Sequence, residues 1–187
     1  AANAEYDFIN ADRHVIGGDT EFLPDVIKLY KTFFPFIPVH SMKSKESECV
    51  KYFANCFLAA KVMVFNEMKM LCEKLGDVNY DNIMDGVCSD DRIGHSHTHV
   101  PGPDGDRGFG GTCFPKDINA LMTFCNNNNV DHTILNSVWQ KNLKVRNDKD
   151  WLSKVGRAVS EKKEKKNAFI ESSSGSNHDG TSRIFTK

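Results

Sequence analysis

Residues 108–117 read Gly-Phe-Gly-Gly-Thr-Cys-Phe-Pro-Lys-Asp, so three glycines lead into a thiol, an ammonium and a carboxylate. Backbone rich in glycine can approach a ligand closely, and a cysteine at the end of such a loop is a candidate nucleophile. Pro115 suits the first turn of a helix, and Ile118, Leu121, Met122, Phe124 and Cys125 recur at helical spacing. Cys113 is therefore expected at or just before a helix N-terminus, where the partial positive charge and Lys116, three residues on, favour a thiolate. The alternative is a small buried apolar cysteine. The glycines do not form a dinucleotide fingerprint. Cys113 stands where the third glycine of GxGxxG belongs, and no clear buried strand leads in.

A second pair is Lys51 and Asn55, four residues apart and so on one face of any helix that contains them. That would place an ammonium and an amide side by side; the alternative is an exposed lysine beside a surface asparagine. Arg92 follows Asp90 and Asp91, so a local salt bridge is its simplest role. The run His95, His97, His99 alternates as if to present imidazoles to a metal, but no carboxylate or cysteine is an obvious further ligand. No metal site is expected, and surface histidines or polar ligand contacts are the preferred reading.

The longest element that must carry such groups is a helical pattern over residues 44–75, free of Gly and Pro and stopped by Gly76. At about 1.5 Å per residue it reaches about 48 Å, more than a small domain covers. Its apolar residues Phe53, Phe57, Ala60, Val64, Phe65, Met68, Leu71, Cys72 and Leu75 suit a second helix or a partner subunit, the alternative being the core helix of a larger monomer. Before it, a brief strand is expected over residues 12–18. A helix capped by Thr20 and ending at Pro35 follows, then a second short strand over 36–39. After it come a short helix over 79–87, a loop rich in His, Pro and Gly to Arg107, and helices over 115–126 and 131–146 flanking four asparagines. The tail from Leu152 is basic and then Ser/Gly-rich, read as one weak helix followed by disorder.

With 187 residues, 40 % hydrophobic, the chain has enough for one good core or two small ones. Its formal net charge of -1 gives no reason to expect nucleic acid or membrane as partner, and no stretch nears the roughly 18–20 apolar residues of a membrane span. Six cysteines without a CxxC pair read as reduced thiols in a cytoplasmic protein.

From about Ala4 to about Asp150 the sequence resembles the UDP-glucose/GDP-mannose dehydrogenase family, most closely its UDP-glucose 6-dehydrogenase branch. The match is carried by the segment 108–117, by Lys51-Tyr52-Phe53-Ala54-Asn55 and by Asp90-Asp91-Arg92-Ile93-Gly94. The resemblance implies oxidation of the C6 alcohol of a nucleotide sugar, UDP-glucose, to the acid with two NAD. Cys113 would capture the aldehyde as a thiohemiacetal that becomes a thioester. Lys51 and Asn55 would stabilise the oxyanion, and Asp117 would assist proton movement through water; its simpler role is a carboxylate favoured at a helix N-terminus. Arg92 would cross a dimer interface to the partner's nucleotide phosphates, Phe109 and Gly110 would lie against the nucleotide sugar, and Lys116 near the cofactor.

The fold so implied is mainly α. A helical central and dimerisation domain over 44–150, built on the long helix, follows an incomplete α/β, Rossmann-edge segment over 1–43 and precedes the tail 151–187. A homodimer through the long helix is expected. The chain opens Ala1-Ala2-Asn3 and lacks the glycine-rich NAD fingerprint, the glutamate-bearing loop and the C-terminal nucleotide-binding domain of the family. It is therefore read as part of a longer enzyme, inactive alone. The alternatives are an inactive dimerisation fragment, or a dehydrogenase of GDP-mannose or another nucleotide sugar. Between Arg92 and Gly108 the segment is longer than in many relatives.

Overall fold

The computed structural model describes residues 4–154. In order these form α1 (Ala4–Ile9), β1 (His14–Gly17), α2 (Leu23–Phe33), β2 (Val39–Met42), α3 (Ser44–Leu75), α4 (Tyr80–Cys88), α5 (Cys113–Asn127), α6 (Thr133–Val145) and a 3-10 turn (Asp150–Ser153). The expected mainly helical architecture is what forms among the described residues: six helices and a two-stranded parallel sheet, His14 facing Val39 through Gly17 facing Met42. No helix among the described residues is long and apolar enough to cross a membrane.

The long helix takes its expected bounds. Glu46 accepts the Lys43 N–H at 2.9 Å to close the first turn, and Gly76, at φ 79°, caps the end by donating to the Cys72 carbonyl at 3.1 Å. Between these points α3 packs on β1, α5 and α6. Cys56, Ala59 and Met63 meet Phe109 and Ile118 from the following loop and α5, and Val138 of α6, in one core cluster. Phe65 meets Tyr80, Met84, Cys88 and Val100 in a second, where the Tyr80 hydroxyl donates to the Thr98 carbonyl at 3.1 Å. Phe65, expected on an open apolar surface, is thus core. Phe53, Phe57 (69 % exposed), Val64, Met68, Leu71 and Leu75 remain an open apolar stripe along the same helix.

Three local expectations are corrected. Thr20 does not cap α2, because a turn through Asp19 takes the Phe22 and Leu23 N–H groups first; the helix starts at Leu23, with Pro24 in its first turn and no side-chain cap. The second strand lies over 39–42, not 36–39, since residues 34–37 close a turn from Ile37 N–H to the Phe34 carbonyl at 3.2 Å. Pro38 then contributes only its carbonyl, to His14. A helix, α1, forms where none was expected; its Phe8 packs on His14, Tyr30 and Phe34 with ring centroids 5.3–6.1 Å apart.

At the C-terminal side the packed region runs past residue 150. Trp151 is buried against Trp139, centroids 5.5 Å apart. The weak helix and disorder expected further along the tail fall almost wholly outside the described residues.

Candidate active site

Cys113 is the first residue of α5 and is exposed, which excludes the buried-apolar alternative. The other five cysteines are buried or partly so. Cys56 shows what burial does: desolvation, then the nearby Asp117 charge, pushes its thiol up to about 11. It keeps its proton at neutral pH, and the thiol offered to a ligand is Cys113.

Around Cys113 the fold assembles groups distant in sequence. Asp117, one turn into α5 and 0 % exposed, accepts a hydrogen bond from Asn55 Nδ2 of α3 at 2.6 Å and pairs with the Lys116 ammonium. Lys116 also stands 5.7 Å from the centre of the Tyr52 ring. Its pKa is raised, chiefly by the hydrogen bond to Asp117, with the charges of Tyr52 and Cys113 adding to it, so it is a firm cation. A carboxylate this buried needs both partners, because an unpaired buried charge is strongly unfavourable. Lys51 lies one turn before Asn55 on α3, exposed, with no hydrogen bond or ion pair among the described residues. Asn55, Asp117 and Lys116 thus meet at the first turn of α5, which Cys113 begins, and Lys51 lies one helical turn before Asn55.

The loop before Cys113 is held by side chains that sequence reasoning missed. Asn142 of α6, fully buried, accepts the Phe109 N–H at 2.8 Å and donates to the Phe109 carbonyl at 3.0 Å. Asn66 of α3 accepts the Gly108 N–H at 3.1 Å. Gly108 has φ 70°, and a Cβ there would overlap the Asn142 amide, so this position needs glycine. A Cβ on Gly110 would overlap the Arg146 guanidinium, and Asp150 accepts the Gly111 N–H at 3.0 Å. The signal for the two asparagines was present: Asn66 follows Ala59 and Met63, and Asn142 follows Val138 and Trp139, at spacings that put an amide on an apolar stripe.

A cavity of about 860 Å³ opens beside this loop, walled by Gly110, Gly111, Phe114, His97, His99 and Asp104 among others. The Phe109 side chain itself is mostly core, edge-on to Phe114 at 5.8 Å. His97 stacks on Phe114 at 5.6 Å, and no three His, Cys, Asp or Glu side chains among the described residues are placed to share a metal ion. Arg92 lies apart, 89 % exposed and paired with Asp90 at 2.6 Å. The local salt bridge is thus the contact made within this chain.

Comparison with known proteins identifies the family. A family model described as the UDP-glucose/GDP-mannose dehydrogenase family, central domain, matches residues 45–144. The chain is 38 % identical over 146 residues to a UDP-glucose 6-dehydrogenase of Rickettsia bellii, covering 75 % of this chain and 31 % of the relative. It is 35 % identical over 147 residues to one of Bacillus subtilis, covering 78 % and 31 %. The structure superposes with a TM-score of 0.66, at 35 % identity, on a UDP-glucose dehydrogenase from the archaeon Pyrobaculum islandicum, over 74 % of this chain and 31 % of that one. The chain spans about a third of the length of these relatives. With the family model matching more than half of its residues, the chain belongs to the UDP-glucose/GDP-mannose dehydrogenase family.

Proposed function

We propose that the chain supplies the covalent-capture half of a nucleotide-sugar 6-dehydrogenase that oxidises UDP-glucose to UDP-glucuronate. The observation that carries the reading is the 2.6 Å bond between Asn55 and Asp117, which fixes α3 against the first turn of the helix begun by the exposed Cys113. NAD, when bound, supplies the acceptor for the two hydrides. The described residues fit only the margin of such a cofactor: Lys116 is a cation beside Cys113, while the two-stranded sheet carries no glycine-rich phosphate turn of the dinucleotide type.

The work of this chain is then at sulfur and oxygen. Sγ of Cys113, as thiolate, attacks the C6 aldehyde and forms the C–S bond of a thiohemiacetal. Loss of hydride from that carbon leaves a thioester, and water expels the thiolate to give the acid. The Lys51 ammonium and the Asn55 amide donate to the oxyanion formed on C6, the interaction that contributes most in acyl chemistry. Asn55 divides its amide between that oxygen and Asp117. The Asp117 carboxylate accepts the proton released from water, with Lys116 holding its charge in place. Gly110 and Gly111, in the cavity wall, let the sugar nucleotide approach the backbone, and Phe109 backs the same wall from the core.

A homodimer through the open stripe of α3 belongs to the same reading. Arg92 reaches the partner's nucleotide phosphates by exchanging Asp90 for a diphosphate. That exchange costs little, because water already screens so exposed an ion pair. Sedimentation of a stable monomer at micromolar concentration would remove the dimer from the proposal.

The deciding assay joins the chain to a nucleotide-binding domain of a relative, as a fusion or a second polypeptide, and follows NADH with UDP-glucose and GDP-mannose in parallel. NADH release with UDP-glucose, abolished acid formation in Cys113→Ser and lowered turnover in Lys51→Ala are expected. Acid formation that survives Cys113→Ser refutes the covalent mechanism, and a preference for GDP-mannose refutes the substrate. Dimers without NADH release would support a dimerisation module instead.

A further inference from the structure

Three carboxylates surround one buried guanidinium behind the glycine loop. Arg146, at the end of α6 with its side chain 3 % exposed, pairs with Asp104 at 2.6 Å, Asp150 at 3.8 Å and Asp106 at 4.0 Å. It also donates to the Asp148 carbonyl at 2.8 Å. Asp106 accepts the N–H groups of Asn147 and Asp148 at 3.0 and 2.8 Å, so residues 104–106 are tied to residues 146–148. Asp150 takes the Gly111 N–H at 3.0 Å and the Lys154 ammonium at 2.5 Å. The guanidinium itself lies against Gly110.

The cluster therefore borders the cavity. Asp104, Gly110 and Gly111 all line it, and Gly111 stands two residues before Cys113. The hydrogen bond from Arg146 holds the Asp104 carboxyl below its ordinary range. Burial pushes the Asp150 carboxyl up, but the Lys154 and Gly111 hydrogen bonds outweigh it and leave it lowered. Asp104, Asp106 and Asp150 are thus carboxylates at neutral pH. Buried ion clusters add little to stability against an apolar replacement, and fixing a geometry is one role they do fill.

We propose that Arg146 and Asp150 are positioning residues that hold the Gly110–Gly111 backbone, and through it the Cys113 thiol at the start of α5, in register with the cavity. The inference rests on Cys113 being the nucleophile. A thiol displaced by about 1 Å loses about a hundredfold in rate. Cys113 is already exposed, so loosening the loop removes the helix-terminal field and the set geometry without adding access.

Two measurements test it. In the 187-residue chain, iodoacetamide labelling resolved by peptide should slow at Cys113 by about fivefold or more in Asp150→Ala, a part of the full misplacement cost, with Cys125 unchanged as internal reference. Asp150→Asn keeps an acceptor for the Gly111 N–H and should recover most of the rate. Arg146→Lys should not recover it, because an ammonium lacks the fork that spans two carboxylates. Asp104→Asn, at a partly exposed site that endangers folding least, should slow labelling in the same direction. Lys141→Ala, on α6, removes an ion pair to Glu67 of α3 and should change nothing. In the fused enzyme, Asp150→Ala should lower kcat about tenfold with KM for the nucleotide sugar within about twofold, the pattern of lost positioning. Equal Cys113 labelling in the parent, Asp150→Ala and Asp104→Asn chains overturns the proposal. Acid formation that survives Cys113→Ser overturns instead the nucleophile reading, and the labelling comparison still decides whether the cluster positions the thiol.

Discussion

Replacing Asn55 by alanine tests the contact on which the site is built. Asp117 has no exposed surface and two partners, the Asn55 amide at 2.6 Å and the Lys116 ammonium. The variant removes one charge-assisted hydrogen bond from a buried carboxylate, a loss of about 1.5–3 kcal/mol. Asn55 is only partly buried, so water replaces some of it, and the expected cost is about 2 kcal/mol. For a domain of this size each kcal/mol moves Tm by about 2–4 °C, so the midpoint should fall by about 4–8 °C. Stability alone does not identify the partner, so the variant is crossed with Asp117→Asn in urea unfolding followed by circular dichroism. The coupling energy should be about 1 kcal/mol or more if amide and carboxylate act on each other. A coupling below about 0.3 kcal/mol, the level seen for independent sites, refutes the reasoning.

Gly108→Ala should cost about 1–3 kcal/mol, since it places a side chain at φ 70° and against the Asn142 amide; an unchanged urea midpoint would show that the loop yields. Trp151→Ala should cost about 3–5 kcal/mol by emptying the space under Trp139, and a neutral result would detach residue 151 from the core. Burial pushes the Cys56 thiol from 9.0 up to about 11 and the Tyr80 phenol from 10.0 up to about 12. Both keep their protons in the folded chain after the unfolded chain has lost them, so stability is whole below about 9 and falls as pH rises through these values. Thermal midpoints between neutral pH and strong alkali should show that decline beginning near the ordinary thiol pKa, and a flat profile would contradict the burial of these groups.

The parts of the fold legible in the sequence are those fixed by local chemistry. The α3 pattern has no Gly or Pro for thirty-two residues and then meets Gly76, so both ends follow from the chain itself. Cys113 at the start of α5 follows from Pro115 and the apolar spacing behind it. The Thr20 cap and the second strand were misplaced because tertiary pairing outranked propensity. His14 pairs with Val39, and that register leaves residues 34–37 to a turn. Within the site, the residue types around Cys113 were readable from the motif. The groups that hold the loop were not, because Asn66, Asn142, Arg146 and Asp150 look like ordinary helix-surface residues until the loop folds against them. An amide on an apolar stripe is the cue that separates the first two from the rest.

The bond pair between Asn142 and Phe109 has a consequence for how this chain can drift over generations. One side chain offers a buried peptide both an acceptor and a donor, the task a neighbouring strand performs in a sheet. Among the twenty side chains only asparagine and glutamine have that pair of atoms, and glutamine is longer by one methylene in a site with no spare room. Single-base changes in an asparagine codon lead to Asp, His, Tyr, Ser, Thr, Ile or Lys, none of which presents the same pair, and glutamine is not among them. Mutation can thus reach no substitute for position 142 in one step. The junction between α6 and the glycine loop should therefore resist change more stubbornly than its distance from the thiol suggests.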